Sequence, residues 1–199
     1  MHMKRLNKSV IPKICVAVGG CLLLVGVLTL ISWQWTIYTS MEKMQTDLQT
    51  IHTLIPEPQG AALEEHRDYA MPVLSVEGTD FIGILEMPQY ESALPVCADW
   101  GQITKHPCKL AGSIYDRSMQ IGATTQKGQY DFYREISVGD AVVFTDAQGN
   151  RYTYTVKNLR YEECADQMAL HREDAALTLL IKNIYGFEYL IVSCDVSNS

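Results

Sequence analysis

Nowhere in the 199 residues do His and Cys cluster at metal-ligand spacing, and no glycine-rich loop of the phosphate-cradling kind is present. Metal and cofactor chemistry are without support, and no cofactor is expected. Basic residues are also scarce: 16 Lys and Arg face 23 Asp and Glu, a formal net charge of −7. Such a chain repels a polyphosphate backbone, so nucleic acid is excluded as an expected partner. No internal repeat is visible, which argues against a solenoid or propeller.

Charge of either sign is missing from residues 14–35, "ICVAVGGCLLLVGVLTLISWQW". As a helix rising 1.5 Å per residue this run extends about 33 Å, the thickness of a bilayer's hydrocarbon. It is longer than the apolar core of a cleaved secretory signal, and Trp33 and Trp35 suit an interfacial belt, so a retained transmembrane helix is expected. Lys4, Arg5, Lys8 and Lys13 precede it without any acid. The positive-inside rule then leaves residues 1–13 in the cytoplasm and everything beyond Trp35 outside, a single-pass protein of the cell membrane. All 23 acidic residues lie beyond residue 35 with 12 of the 16 basic ones, a balance near −11 for the outer portion.

After the apolar run, "SMEKMQTDLQTIHTLI" places Met41, Met44, Leu48, Ile51 and Ile55 at steps of three and four, with Ser40 as candidate N-cap and Pro56 as stop. This predicts a juxtamembrane amphipathic helix whose stripe packs on the following domain, pairs with another chain or begins a stalk. Residues 56–72 read as a linker, so 36–72 form a helix-plus-linker region and 73–199 the outer domain. From Leu74 onward, "FIGILEMP", "SALPVC", "GSIYDRSMQIGA", "DAVVFTD", "RYTYTV", "ALTLLI" and "FEYLIVSC" are short segments rich in Val, Ile, Tyr, Phe and Thr. Asp146 to Asn150 supply the turn of a hairpin in which Arg151, Thr153 and Thr155 alternate with Tyr152, Tyr154 and Val156. The expected fold class is all-β, a closed or nearly closed barrel with short helical pieces near residues 130–136 and 164–171.

The order "LPVCADW", "HPCKLAGS", "QIGA", Tyr130, Tyr133 and Ile136 before "VGDAVVFTDAQGNRYTYTV", then "ALTLL" and "LIVSC", resembles a sortase, and looks most like the class B-like sortases of Gram-positive bacteria. The resemblance covers about residues 76–196. It implies an eight-stranded barrel whose relatives cut a sorting signal and join the surface protein to an amine of the cell wall or of a pilin. It also implies a Cys ending a TLxTC strand, a His after Gly or Ala in a loop, and an Arg on the next strand, because acyl transfer needs a thiolate with an acid and an oxyanion partner in reach.

Matched residue by residue, the TLxTC pattern falls on Thr178, Leu179, Leu180, Ile181 and Lys182, which puts Lys182 in the nucleophile's place. The loop His falls on Ala123, followed by Thr124, and the Arg falls on Tyr189, or on Glu188 with a one-residue shift. The resemblance therefore implies a pseudo-sortase with no catalytic residue at these positions, whose groove candidates are Ala123, Thr124, Lys182, Glu188 and Tyr189. Such a module would hold a sorting-signal peptide, a pilin or an active sortase. Lys182 itself can lay its stem along apolar surface and pair with Glu188, lend charge to a peptide groove, or serve as a nucleophile, although nothing nearby in sequence supplies a base or a second cation to activate it.

Two other classes stay open on sequence alone. One is an active transpeptidase or amidase that recruits another thiol such as Cys164 or Cys97; the other is a structural barrel whose groove is filled by side chains. Cys164 and His171, seven residues apart, would share a helical face but stand about 10 Å apart along it, and on a strand Cys108 and His106 would stand nearly 7 Å apart, about twice hydrogen-bonding reach. Cys97, Cys108, Cys164 and Cys194 allow three complete pairings. The resemblance favours Cys108 and Cys194 as buried neighbours, free or bridged.

Overall fold

The computed structural model describes residues 10–56, 71–163 and 175–197, without the side chains of residues 10–14 and 37. Lys4, Arg5 and Lys8, most of the predicted linker, and the predicted helix at 164–171 with Cys164 and His171 lie outside the described residues. Met1–Ser40 and Met41–Ser199 form two compact units.

One helix, α1 (Val10–Leu54), stands where two were predicted. Ser40 does not cap a new helix; its hydroxyl donates to the carbonyl of Thr36, and no Gly or Pro between them breaks the hydrogen-bond ladder. The apolar stretch reaches a mean hydropathy of 2.5 with none of that window covered by protein, so α1 is long and apolar enough to cross a membrane.

The second unit is built from β1 (Leu74–Val76), β2 (Thr79–Met87), β3 (Ser92–Cys97), β4 (Cys108–Ala111), β5 (Met119–Thr124), β6 (Ala141–Asp146), β7 (Arg151–Glu162), β8 (Leu177–Lys182) and β9 (Tyr189–Val196). Strands β2-β3-β4-β5-β8-β9-β7-β6 follow one another in the sheet, and β6 pairs back onto β2 to close an eight-stranded barrel, with β1 as a short addition on β2. The pairs β3–β4 and β5–β8 are parallel and the remainder antiparallel. The closed all-β barrel of about eight strands expected from the sequence is thus the observed fold.

Two local expectations are corrected. Residues 113–117 turn rather than extend, because Asp116 accepts from the Ser113 and Ser118 amides and Ser113 Oγ from the Tyr115 amide. The stretch 131–135 is a succession of turns, not a helix; its amides find carbonyls three residues back, as in Tyr133 to Tyr130 and Glu135 to Phe132. So short a segment cannot repay helix nucleation.

Strand alternation, reset in β2 by the irregularity between Phe81 and Gly83, sends Ile82, Leu85, Val96, Ile121, Leu179 and Val192 into the core with Phe144 and Tyr130. The β2–β6 closure is close at Gly83, whose φ is +156° and where a Cβ would stand 2.1 Å from the Thr145 carbonyl oxygen. Asp146 ties the β6–β7 hairpin, accepting from the amides of Gln148 and Asn150 at 2.9 Å each.

Of the three roles open to the stripe on α1, packing on the domain is the one observed. Ile51 is fully buried against Phe81, Ile84, Cys97 and Cys108 on the outer side of β2–β3–β4, with Leu48 and Ile55 beside it. Each such side chain contributes about 1.5–3 kcal/mol by leaving water. Asp47 interrupts the stripe and is buried too, its Oδ2 lying 3.2 Å from Nε2 of the equally buried His106. The Phe81 ring meets the imidazole edge-on at 5.2 Å. Burial lowers the His106 pKa to about 4, helped by Lys43 and Lys105, and raises that of Asp47 against the pull of Lys43.

These features give two expected outcomes. Gly83→Ala forces β2 and β6 apart and lowers the free energy of unfolding by at least about 2 kcal/mol, measured by urea titration. For His106, the unfolded imidazole takes up a proton near pH 6.5 while the folded one does so only near 4. Its stabilising contribution is therefore full above pH 6.5 and lost as pH falls toward 4, opposite in sign to that of Asp47, whose raised pKa favours the folded state at low pH. The thermal midpoint should drop across that window in the native chain and drop less in His106→Asn.

Candidate functional site

Strands β5, β8 and β9 lie side by side, and their registers decide which side chains meet. Gly122 pairs with Leu180 and Thr124 with Lys182 across the parallel ladder; Leu180 pairs with Ile191 and Lys182 with Tyr189 across the antiparallel one. Because paired residues point to the same face, Thr124, Lys182 and Tyr189 stand level on the outside of the barrel, above a row of Gly122, Leu180 and Ile191. Leu110 and Tyr189 pack on Leu180 and Ile191 to make an apolar strip. The Lys182 side chain is exposed, with Nζ 5.9 Å from the centroid of the Tyr189 ring. Among the described residues it makes no ion pair, with Glu188 or any other carboxylate. Its backbone is well held: the carbonyl accepts from the Thr125 amide at 2.9 Å, and Thr125 Oγ1 accepts from the Ile184 amide at 3.1 Å.

The predicted site residues are thus sorted by the strand pleat. Thr124, Lys182 and Tyr189 come together. Ala123 does not join them: it is 2% exposed and belongs to the barrel interior with Ile121 and Ile181, since a neighbour of Thr124 on a strand must face the other way. Glu188 lies before β9, exposed, its carbonyl accepting from the Asn183 amide, so Tyr189 is the residue opposite Lys182.

Three further residues shape the strip, none of them singled out by sequence reasoning. Trp100, in a 3₁₀ turn (Trp100–Gln102) capped by Asp99, lies over Gly122 so closely that a Cβ there would stand 2.1 Å from the indole. Gln129 is buried and accepts at Oε1 from both the amide and the hydroxyl of Thr124, each at 3.1 Å. Arg160 and Glu162 pair with Ile191 and Tyr189 in the β7–β9 ladder, and Arg160 Nε lies 2.9 Å from Glu162 Oε1. A guanidinium therefore does share this face, one strand beyond the position matched to the family Arg. The Asp before Trp100 is a readable cap signal, but the contact with Gly122 is long-range and leaves no local trace.

The described thiols outside α1 are remote from water. Cys97, Cys108 and Cys194 are all 0% exposed. Cys108 Sγ donates to the His106 backbone carbonyl at 3.3 Å, while the His106 ring faces Asp47, so no thiol–imidazole couple forms there. The Cys97 pKa is raised, first by its hydrogen bond to Cys108 and then by burial; burial takes Cys194 up to about 12. Nucleophilic cysteines show the opposite, a depressed pKa and partial exposure. Cys194 lies inside the barrel and Cys108 against Cys97 on its outer side, so the neighbour of Cys108 is Cys97 and not Cys194. No metal-binding group of three or more His, Cys, Asp or Glu occurs among the described residues.

No family model and no curated protein sequence matches the chain. Solved structures do. Sortase C1 of Streptococcus agalactiae superposes with a TM-score of 0.51 at 18% identity, covering 63% of this chain and 72% of that one. Sortase C1 of Streptococcus suis does so with a TM-score of 0.50 at 18% identity, covering 60% and 74%. Likeness at this identity speaks for architecture. The chain carries a β-barrel with the sortase fold.

Proposed function

We propose that this chain is a membrane-anchored, surface-exposed sortase relative, class B-like in its motif spacing, that has lost cysteine transpeptidase chemistry and acts as a binding or scaffold module in surface-protein or pilus anchoring. Its N-terminus is cytoplasmic and its barrel extracytoplasmic. The observation that carries the reading is what occupies the positions matched to His, Cys and Arg: an inward-facing Ala123, Lys182 and Tyr189, with Thr124 completing the outer row at the end of β8. None supplies a thiolate nucleophile or an imidazole to protonate the leaving amine. The complete burial of Cys97, Cys108 and Cys194 supports it, because a recruited thiol must reach its substrate. Loss of one member of a catalytic unit can cost around 10⁶ in rate, after which further losses cost little, so concerted replacement is the expected end state.

What remains suits an extended peptide. Leu110, Leu180 and Ile191 offer an apolar floor, Tyr189 and Trp100 offer rings, and the Lys182 ammonium adds charge at one end. The partner on this reading is a sorting-signal-like peptide, presented alone, by a pilin or by an active sortase.

Full-length protein in detergent, incubated with sorting-signal peptides and an amine acceptor, should give no cleavage above the uncatalysed rate. It should bind such a peptide, and Lys182→Ala or Tyr189→Ala should each weaken binding about fivefold, read by fluorescence anisotropy. Turnover that survives Lys182→Ala and disappears with Cys97→Ala or Cys164→Ala would sink the reading.

A further inference from the structure

The barrel has one thin seam. Most neighbouring strands are joined by four or more residue pairs, as between β2 and β6 or β5 and β8, whereas β3 and β4 are joined by a single pair. That one pair is Cys97 opposite Cys108. The two strands run parallel here, and beside the pair the Cys97 amide donates to the Pro107 carbonyl at 2.8 Å.

Adjacent strands lie about 4.8 Å apart, inside the roughly 4.4–6.8 Å between α-carbons that a disulfide spans. Residues paired in register point to the same face, and these two share one apolar cluster beneath Ile51 of α1. They stand close enough that Cys108 is the first cause of the raised Cys97 pKa. No other described cysteine competes: Cys194 is inside the barrel, and Cys15 and Cys21 belong to the apolar stretch of α1.

We infer that Cys97 and Cys108 form a disulfide that covalently closes the β3–β4 seam. The oxidant is a low-molecular-weight disulfide such as oxidised glutathione. The Cys97 thiolate attacks one of its sulfurs and releases one glutathione thiol. The Cys108 thiolate then attacks the Cys97 sulfur of the mixed disulfide and releases the second. Two protein thiols are oxidised, one glutathione disulfide is reduced, and the two protons leave on the two glutathione thiols. Because both sulfurs are fully buried in the folded barrel, exchange belongs to the folding chain, before α1 covers the seam. Once formed, the bond is shielded from thiols by the same burial.

The bridge closes a short loop that carries three long-range contacts. Trp100 lies on Gly122 at the candidate groove, the Ile103 carbonyl accepts from Gln129, and His106 meets Asp47 of α1. Fixing the ends of this segment lowers the entropy of the unfolded chain and holds all three in place.

The test uses the full-length chain in detergent, unfolded under reducing conditions and refolded with reduced and oxidised glutathione. After N-ethylmaleimide trapping and proteolysis, mass spectrometry should find a peptide joining Cys97 to Cys108. The bond should resist dithiothreitol until denaturant is added, and the thermal midpoint should lie about 5–10 °C above that of the reduced chain. Cys164→Ser should leave the bridge intact, and Cys97→Ser should abolish it. Recovery of Cys97 and Cys108 both alkylated from refolded protein, or of either joined to Cys164, would overturn the inference. Peptide mapping of the unsubstituted chain decides the matter even if Cys97→Ser does not fold.

Discussion

Barrel closure depends on β2 being hydrogen-bonded along both edges, to β3 on one side and to β1 and β6 on the other. A backbone approach that leaves no room for a side chain at Gly83 makes this possible. With the cylinder closed, one set of alternating residues fills its centre and the other is free for two separate uses. Over β2–β4 the outer face is apolar and takes the α1 segment; over β5, β8 and β9 it forms the strip that ends in Lys182 and Tyr189. Neither surface exists on an open sheet in the same shape.

Strong local patterns were legible in the sequence and contacts between distant segments were not. Strand β3 falls on the predicted "SALPVC", and the hairpin at Asp146 to Asn150 forms as its turn residues suggest. The stripe from Met44 to Ile55 packs as its spacing implies. Strand β4 escaped notice because it has four residues, follows Pro107 and bulges at Lys109 and Ala111, which hides any alternation. The break expected at Ser40 is absent because a serine can satisfy its hydroxyl within a helix as easily as start one.

At the candidate site, the place of Lys182 at the end of β8 could be read from motif order alone. Which residues stand beside it could not. Register decided for Tyr189 over Glu188 and turned Ala123 inward. Trp100, Gln129 and Arg160 reach the strip from segments far apart in sequence, and nothing local announces them. A backbone ladder fixes where a side chain stands whatever its chemistry, so a fold can keep a position after the reacting group there has changed. This is why the identity of the side chain, and not the likeness of the barrel, decides between cutting and holding.

The parallel pairing of β5 with β8 carries an implication for the order of assembly. A crossover containing β6 and β7 separates the two strands, and β9 must then fold back on β8 before Tyr189 meets Lys182. Non-local pairings of this sort form late. A nascent chain emerging N-terminus first has no row of Thr124, Lys182 and Tyr189 until its last strand is free, and the row is completed in a single step at the end.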